Sequence, residues 1–196
     1  VAGLTGASFR MIGPIYGLQV GLGINQIALF LAAFILGGAI AQYPIGWVAD
    51  KFDRRWVLIT LSLAAICSSS LTIILSNHGT IAVFFAAFIF GFITFPIYSV
   101  ASAHANDFAK PSQIVELSAA LIFFFALGAI GSPLLVAKLV EIYGPNALFV
   151  FIGLAHIILV IVSLARMTAR PSAKVKTSYR YTPRTSFGIA KLIRRR

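Results

Sequence analysis

Acid and cysteine are almost missing from this sequence: five Asp/Glu and one cysteine, Cys67, in 196 residues. A single cysteine excludes any internal disulfide and leaves the redox compartment open. Charge of either sign is scarce too, at 11% against the roughly 25% of an ordinary soluble domain. What fills the space is apolar: 59% of residues, where soluble domains hold about 45–50%. No Walker loop, dinucleotide fingerprint or nucleophile elbow occurs, so ATP-driven chemistry has no basis in the sequence and no cofactor is expected. No cleavable signal is found either. Val1 already lies in an apolar run, so the chain is expected to begin inside a longer polypeptide.

The net charge of +11 looks like a nucleic-acid footprint until it is located. From Arg166 onward there are ten Lys/Arg and no acid, whereas residues 1–165 hold six Lys/Arg against five Asp/Glu. A basic tail on an apolar body argues against a nucleic-acid partner. The tail, 166–196, reads as disordered, with Pro171 and Pro183 among Ser, Thr, Lys and Arg. Its cluster at Lys191 and Arg194–Arg196 beside Phe187, Ile189, Leu192 and Ile193 is suited to touch anionic lipid, the plainer reading being an electrostatic anchor.

A bilayer core of ~30 Å needs about 20 apolar residues in a helix. Six segments meet that length: 2–20, 27–48, 56–75, 81–100, 115–137 and 148–165. They are expected to be helical, because lipid offers bare backbone groups no partner. The expected fold is therefore an all-α membrane protein, a six-helix bundle over 1–165. Lys51, Arg54, Arg55, Lys110 and the ten tail cations fall on one side of it; Lys138 stands alone on the other. That asymmetry puts both chain ends in the cytoplasm.

After the second span the chain reads Gly46-Trp-Val-Ala-Asp50-Lys51-Phe-Asp53-Arg54-Arg55, an acid at a helix end followed by a tight turn studded with cations. This resembles the major facilitator superfamily, whose signature loop is Gly-x-x-x-Asp-Arg/Lys-x-Gly-Arg/Lys-Arg/Lys. Gly46, Asp50, Lys51, Arg54 and Arg55 match it. Asp53 stands where the family has glycine, a departure that Asp accommodates because it tolerates a left-handed turn. Sliding the sequence by 91 places sets Ala137-Lys-Leu-Val-Glu141-Ile-Tyr143-Gly144 over Gly46–Asp53, with small residue, acid and aromatic coinciding. The resemblance implies two inverted three-helix repeats. It also implies that these six helices are half of a secondary active transporter of the bacterial inner membrane. Such a transporter moves a small solute by alternating access against a missing half or a second copy. The sequences around Phe95-Pro96-Ile97-Tyr98, His104–Asp107 and Gly128–Pro133 look like the later half of bacterial facilitators, so the C-terminal half is expected; the rival is an N-terminal half. The further rivals are a non-transporting scaffold, a truncated or decayed transporter, and a small membrane enzyme using His104 and Asp107.

Arg10 stands near the middle of the first span, where a charge costs at least ~2.5–3.5 kcal/mol and usually faces a cavity or a partner. No acid lies mid-span, which leaves a backbone carbonyl, the missing half or an anionic substrate as its partner. An ion gradient, with the proton as coupling ion, or facilitated diffusion would drive movement. His104, Asn106, Asp107 and Glu116 read as a gating or hinge cluster around the fourth loop, with Asp107 or Glu116 pairing Arg54 or Arg55 in one access state. Pro14, Pro44, Pro96 and Pro133 are each expected to kink a helix. His78 and His156 stand alone, so no metal site is expected.

Overall fold

Long apolar runs become long helices. A computed structural model of the chain describes residues 1–169, and the expected basic tail lies outside the described residues from position 170 onward. The elements are α1 (Ala2–Gln19), α2 (Ile24–Lys51), α3 (Arg54–Leu75), α4 (Thr80–Thr94), α5 (Pro96–Asn106), a 3₁₀ turn (Pro111–Gln113), α6 (Ile114–Tyr143) and α7 (Ala147–Ala169). α4 and α5 form one span, Thr80–Asn106, interrupted at Phe95. Pro96 supplies the break, because it has no N–H to donate back up the helix. Pro14, Pro44 and Pro133 lie inside uninterrupted helices, so of the four prolines only Pro96 ends an element.

Five helices are long and apolar enough to cross a membrane, among the described residues: α2, α3, the α4–α5 span, α6 and α7. The sixth expected span is present as α1 but falls outside that set. Its 18 residues reach about 27 Å at ~1.5 Å per residue, and Arg10, Pro14 and Gln19 dilute its apolar content. Helix ends also overrun the expected boundaries. α2 carries Asp50 and Lys51, and α6 runs six residues beyond 137 to Tyr143. Polar residues at the headgroup level still favour helix, since only the hydrocarbon core needs apolar side chains.

Asp53 does not make the left-handed turn expected of it. Its φ is −64° and ψ 118°, and no residue other than glycine has a positive φ among the described ones. Its carboxylate instead caps α3, accepting from the Arg55 backbone N–H at 3.0 Å. The opposite loops do use left-handed backbone, at Gly79 and Gly144.

Packing is reciprocal. α2 lies chiefly against α4, α6 against α1, and α3 against α7. Both of the first two crossings rest on glycine. A Cβ at Gly91 would overlap the Phe34 carbonyl, and one at Gly3 would overlap the Phe125 carbonyl. Gly37 meets the Phe88 carbonyl in the same way, and Gly128 lies against the Leu4 backbone N. Phe125 and Gly128 stand 91 places after Phe34 and Gly37. Close backbone approach of this kind maximises dispersion contact where lipid removes the hydrophobic drive.

The core joining the helices is aromatic. Phe9 stacks on Phe34 at 4.0 Å and on Phe90 at 5.3 Å, and Tyr16 meets Phe149 edge-on at 4.8 Å. The outside is equally apolar: Phe123, Phe124, Leu127 and Ile130 of α6 are all exposed. A greasy exterior around a packed interior fits lipid rather than water as the solvent.

Candidate functional site

Arg10 points out of the bundle into a cleft of about 200 Å³ between α1, α2, the α4–α5 break and α6. Its guanidinium lies over the Phe95 ring, 5.3 Å from the centroid. Of the three partners open to it in the sequence, none of the ion pairs among the described residues supplies one; the aromatic face was not foreseen. Phe95 is held there by the break that Pro96 creates and by Gly38, whose missing side chain makes room for the ring. Thr5, Gln42, Thr94, Tyr98 and Ser99 line the rest of the cleft with Phe34 and Phe125. Ser99 Oγ donates to Gln42 Oε1 at 3.1 Å.

A second, wider cleft of about 640 Å³ shares Gln42 and Ser99 with the first and runs to the cation-rich end of the bundle. Gly46, Asp50 and Arg54 line it. Here the motif residues converge. Arg54 is buried, and its Nη2 donates to Asp50 Oδ1 at 2.9 Å, one turn back across the α2–α3 junction. Its Nη1 donates to the Ala103 carbonyl at 3.0 Å and to the Asp107 carboxylate, which is equally buried. One guanidinium therefore ties the end of α2 to the end of α5. Two carboxylates and a carbonyl thus engage the two terminal nitrogens of one buried guanidinium.

Arg55 turns away to Asp53, Nη2 to Oδ2 at 3.0 Å. The Arg55 hydrogen bond holds the Asp53 carboxyl below the usual carboxylate range, against a smaller opposing effect of burial. Lys51 lies over the Trp47 ring at 3.7 Å. His104 packs edge-on against Phe108 at 5.3 Å, and the Asn106 side-chain oxygen is buried without a hydrogen-bond partner. Glu116 sits exposed in the first turn of α6, outside the ion pairs of the described residues. Of the four pairings open between Asp107 or Glu116 and Arg54 or Arg55, the geometry contains Asp107 with Arg54.

Two features went unseen in the sequence. Gln42, Phe95, Tyr98 and Ser99 form the cleft wall, signalled only by a lone amide in a greasy span and by Pro96. His156, which stood alone, is buried in α7, with Nε2 3.2 Å from Thr5 Oγ1 across the bundle. His78 closes the end of α3, Nδ1 lying 2.9 Å from the Ile74 carbonyl. Among the described residues no three His, Cys, Asp or Glu gather as a metal set.

An apolar helical bundle with a charged cleft on one flank and an ionic clasp at one end has the features of a polytopic membrane protein. Comparison with known proteins supplies the family. The model of the Major Facilitator Superfamily matches residues 1–196, and the chain belongs to that superfamily. It is 30% identical over 177 residues to an uncharacterized MFS-type transporter, YcaD, of Escherichia fergusonii, and 29% identical to the Salmonella arizonae protein of the same name. Each alignment takes in 89% of this chain and 45% of the relative, so the chain spans about half the length of the curated relatives it matches. A crystal structure of an auto-inhibited POT family peptide transporter shares the fold, with a TM-score of 0.70 and 17% identity over 98% of this chain and 39% of that one. With five apolar helices of spanning length, this is an integral membrane protein.

Proposed function

We propose that residues 1–165 are the C-terminal six-helix half of a secondary transporter that carries a small solute across the bacterial inner membrane by alternating access. The observation that carries this reading is the open cleft. Arg10 faces out of the bundle uncompensated by any acid in the cleft wall, on a flank where a second half would close a midplane cavity. Arg10 acts as a substrate contact, and α1 crosses the membrane as the sixth span because its charged face borders that cavity rather than lipid. The Asp50–Arg54–Asp107 clasp is the cytoplasmic latch, and an ion gradient, with the proton as coupling ion, drives the cycle.

The reciprocal crossings support two inverted repeats. α2 on α4 and α6 on α1 are similar contacts: Phe34 and Phe125, 91 places apart, each set a carbonyl against a glycine of the other helix, Gly91 and Gly3. An axis relating the first three helices to the last three exchanges those two contacts and leaves α3 on α7 paired with itself.

The test uses Ser99, exposed in both clefts. In a Cys67→Ser background freed of other cysteines, a Ser99→Cys side chain should react with an impermeant maleimide from either side of the membrane, in right-side-out and in inverted vesicles. Labelling confined to one side under every solute and pH condition would sink alternating access.

A further inference from the structure

We propose that the cleft beside Arg10 takes a small monocarboxylate with an apolar body, its carboxylate on the guanidinium and its body against Tyr98 and Phe125. In the transporter reading, on which this rests, that anion is the cargo.

Charge sets the first constraint. Among the described residues, Arg10 is the only cation lining the cleft, and no acid lines it. One positive charge in mostly apolar surroundings favours one counter-charge and leaves the second charge of a dianion uncompensated. Geometry sets the second. The Arg10 guanidinium carbon lies over the Phe95 ring, 5.3 Å from its centroid, which holds the guanidinium beside the cleft. A planar fork matches a carboxylate through two parallel hydrogen bonds. Phe95 is the positioning residue, lodged between Gly38 and Arg10 at the α4–α5 break.

The remaining polar wall argues against a polyhydroxylated solute. Thr5 is already bonded to His156, Thr94 donates to the Phe90 carbonyl at 2.7 Å, and Ser99 donates to Gln42. Three of the wall's hydroxyls are thus engaged within the protein, so a sugar would find few polar partners for its several hydroxyls. Opposite them, Tyr98 and Phe125 pack edge-to-face at 5.1 Å and offer an aromatic surface for an apolar body.

The probes are benzoate, the neutral benzyl alcohol and the dianion phthalate, titrated calorimetrically into the full-length detergent-purified protein. Benzoate should bind saturably, with the other two at least about tenfold weaker. Arg10→Gln should weaken benzoate by about tenfold or more, Arg10→Lys by less, and Phe95→Leu should weaken benzoate while leaving benzyl alcohol unchanged. Equal affinity for benzoate and benzyl alcohol, an unchanged benzoate Kd in Arg10→Gln, or no saturable benzoate binding overturns the proposal. If Arg10→Gln does not fold, the three-ligand comparison on the unmodified protein decides alone. Failure here with Ser99→Cys labelled from both sides rejects the cargo and keeps the transporter. One-sided labelling with Arg10-dependent benzoate binding does the reverse.

Discussion

Arg54 shows how one buried charge organises a membrane-protein end. Its side chain and that of Asp107 are each only 3% exposed, so neither is relieved by water if the other is removed. Removing Arg54 strands the buried Asp107 carboxylate at a cost of about 3–5 kcal/mol, whereas removing Asp107 leaves Arg54 paired with Asp50 and costs less. Arg54→Ala is expected to lower the unfolding temperature strongly in detergent and Asp107→Ala by less, with the double substitution recovering much of the Arg54→Ala loss. Additive losses in that cycle would mean the clasp contributes no coupling. Arg55, the next residue in the same motif, pairs with the more exposed Asp53, and the same treatment there should change less. The motif's two arginines are thus unlike in role, although the sequence presents them as a doublet.

Between elements, glycine sets the spacing. The α2–α4 and α1–α6 crossings bring backbone against backbone at Gly91 and Gly3, where any side chain must push a helix aside. Overpacking of this kind costs typically about 1–3 kcal/mol. Gly91→Ala and Gly3→Ala should therefore both destabilise the bundle in thermal unfolding. Gly131→Ala, with nothing within 4 Å of its added Cβ, should be neutral or stabilising, since alanine is the better helix former. Equal effects at all three positions would mean that close backbone approach at Gly91 and Gly3 does not set the spacing of the helices. The α4–α5 break belongs to the same scale. It places Phe95 under Arg10, so a proline in one span decides the orientation of a charge in another.

At the scale of the whole molecule, the cleft flank is the unfinished part. The bundle packs its aromatic core among its own helices, yet leaves Arg10, Gln42 and Ser99 exposed together on one side. A second six-helix half there would double the mass. Purified from native membranes, the polypeptide that carries these residues is expected near 42 kDa, about twice 21.1 kDa. A species of 21 kDa would require the flank to be covered by a second copy, and intermolecular cross-linking through Ser99→Cys would then appear.

Much of this architecture is written in the order of residues. Helix existence follows from apolar length, because a chain in lipid must satisfy its own backbone. The family follows from Gly46, Asp50, Lys51, Arg54 and Arg55 at fixed spacing within one turn. The spacing of 91 places that relates Gly46–Asp53 to 137–144 also relates Phe34 to Phe125 and Gly37 to Gly128, residues at the α2–α4 and α1–α6 crossings. Helix ends were less legible, as hydropathy stops at the hydrocarbon edge while the backbone hydrogen bonds of α2 and α6 continue. The sequence alone could not choose between Arg54 and Arg55 for Asp107, nor bring His156 to Thr5 or Phe95 under Arg10. Arg54 and Asp107 lie 53 positions apart and Thr5 and His156 151, and only the packing of helices at particular rotations brings such side chains within reach. Local chemistry determined what each segment is; tertiary packing decided which charges meet, because a side chain's partner in a bundle depends on the rotation of two helices at once.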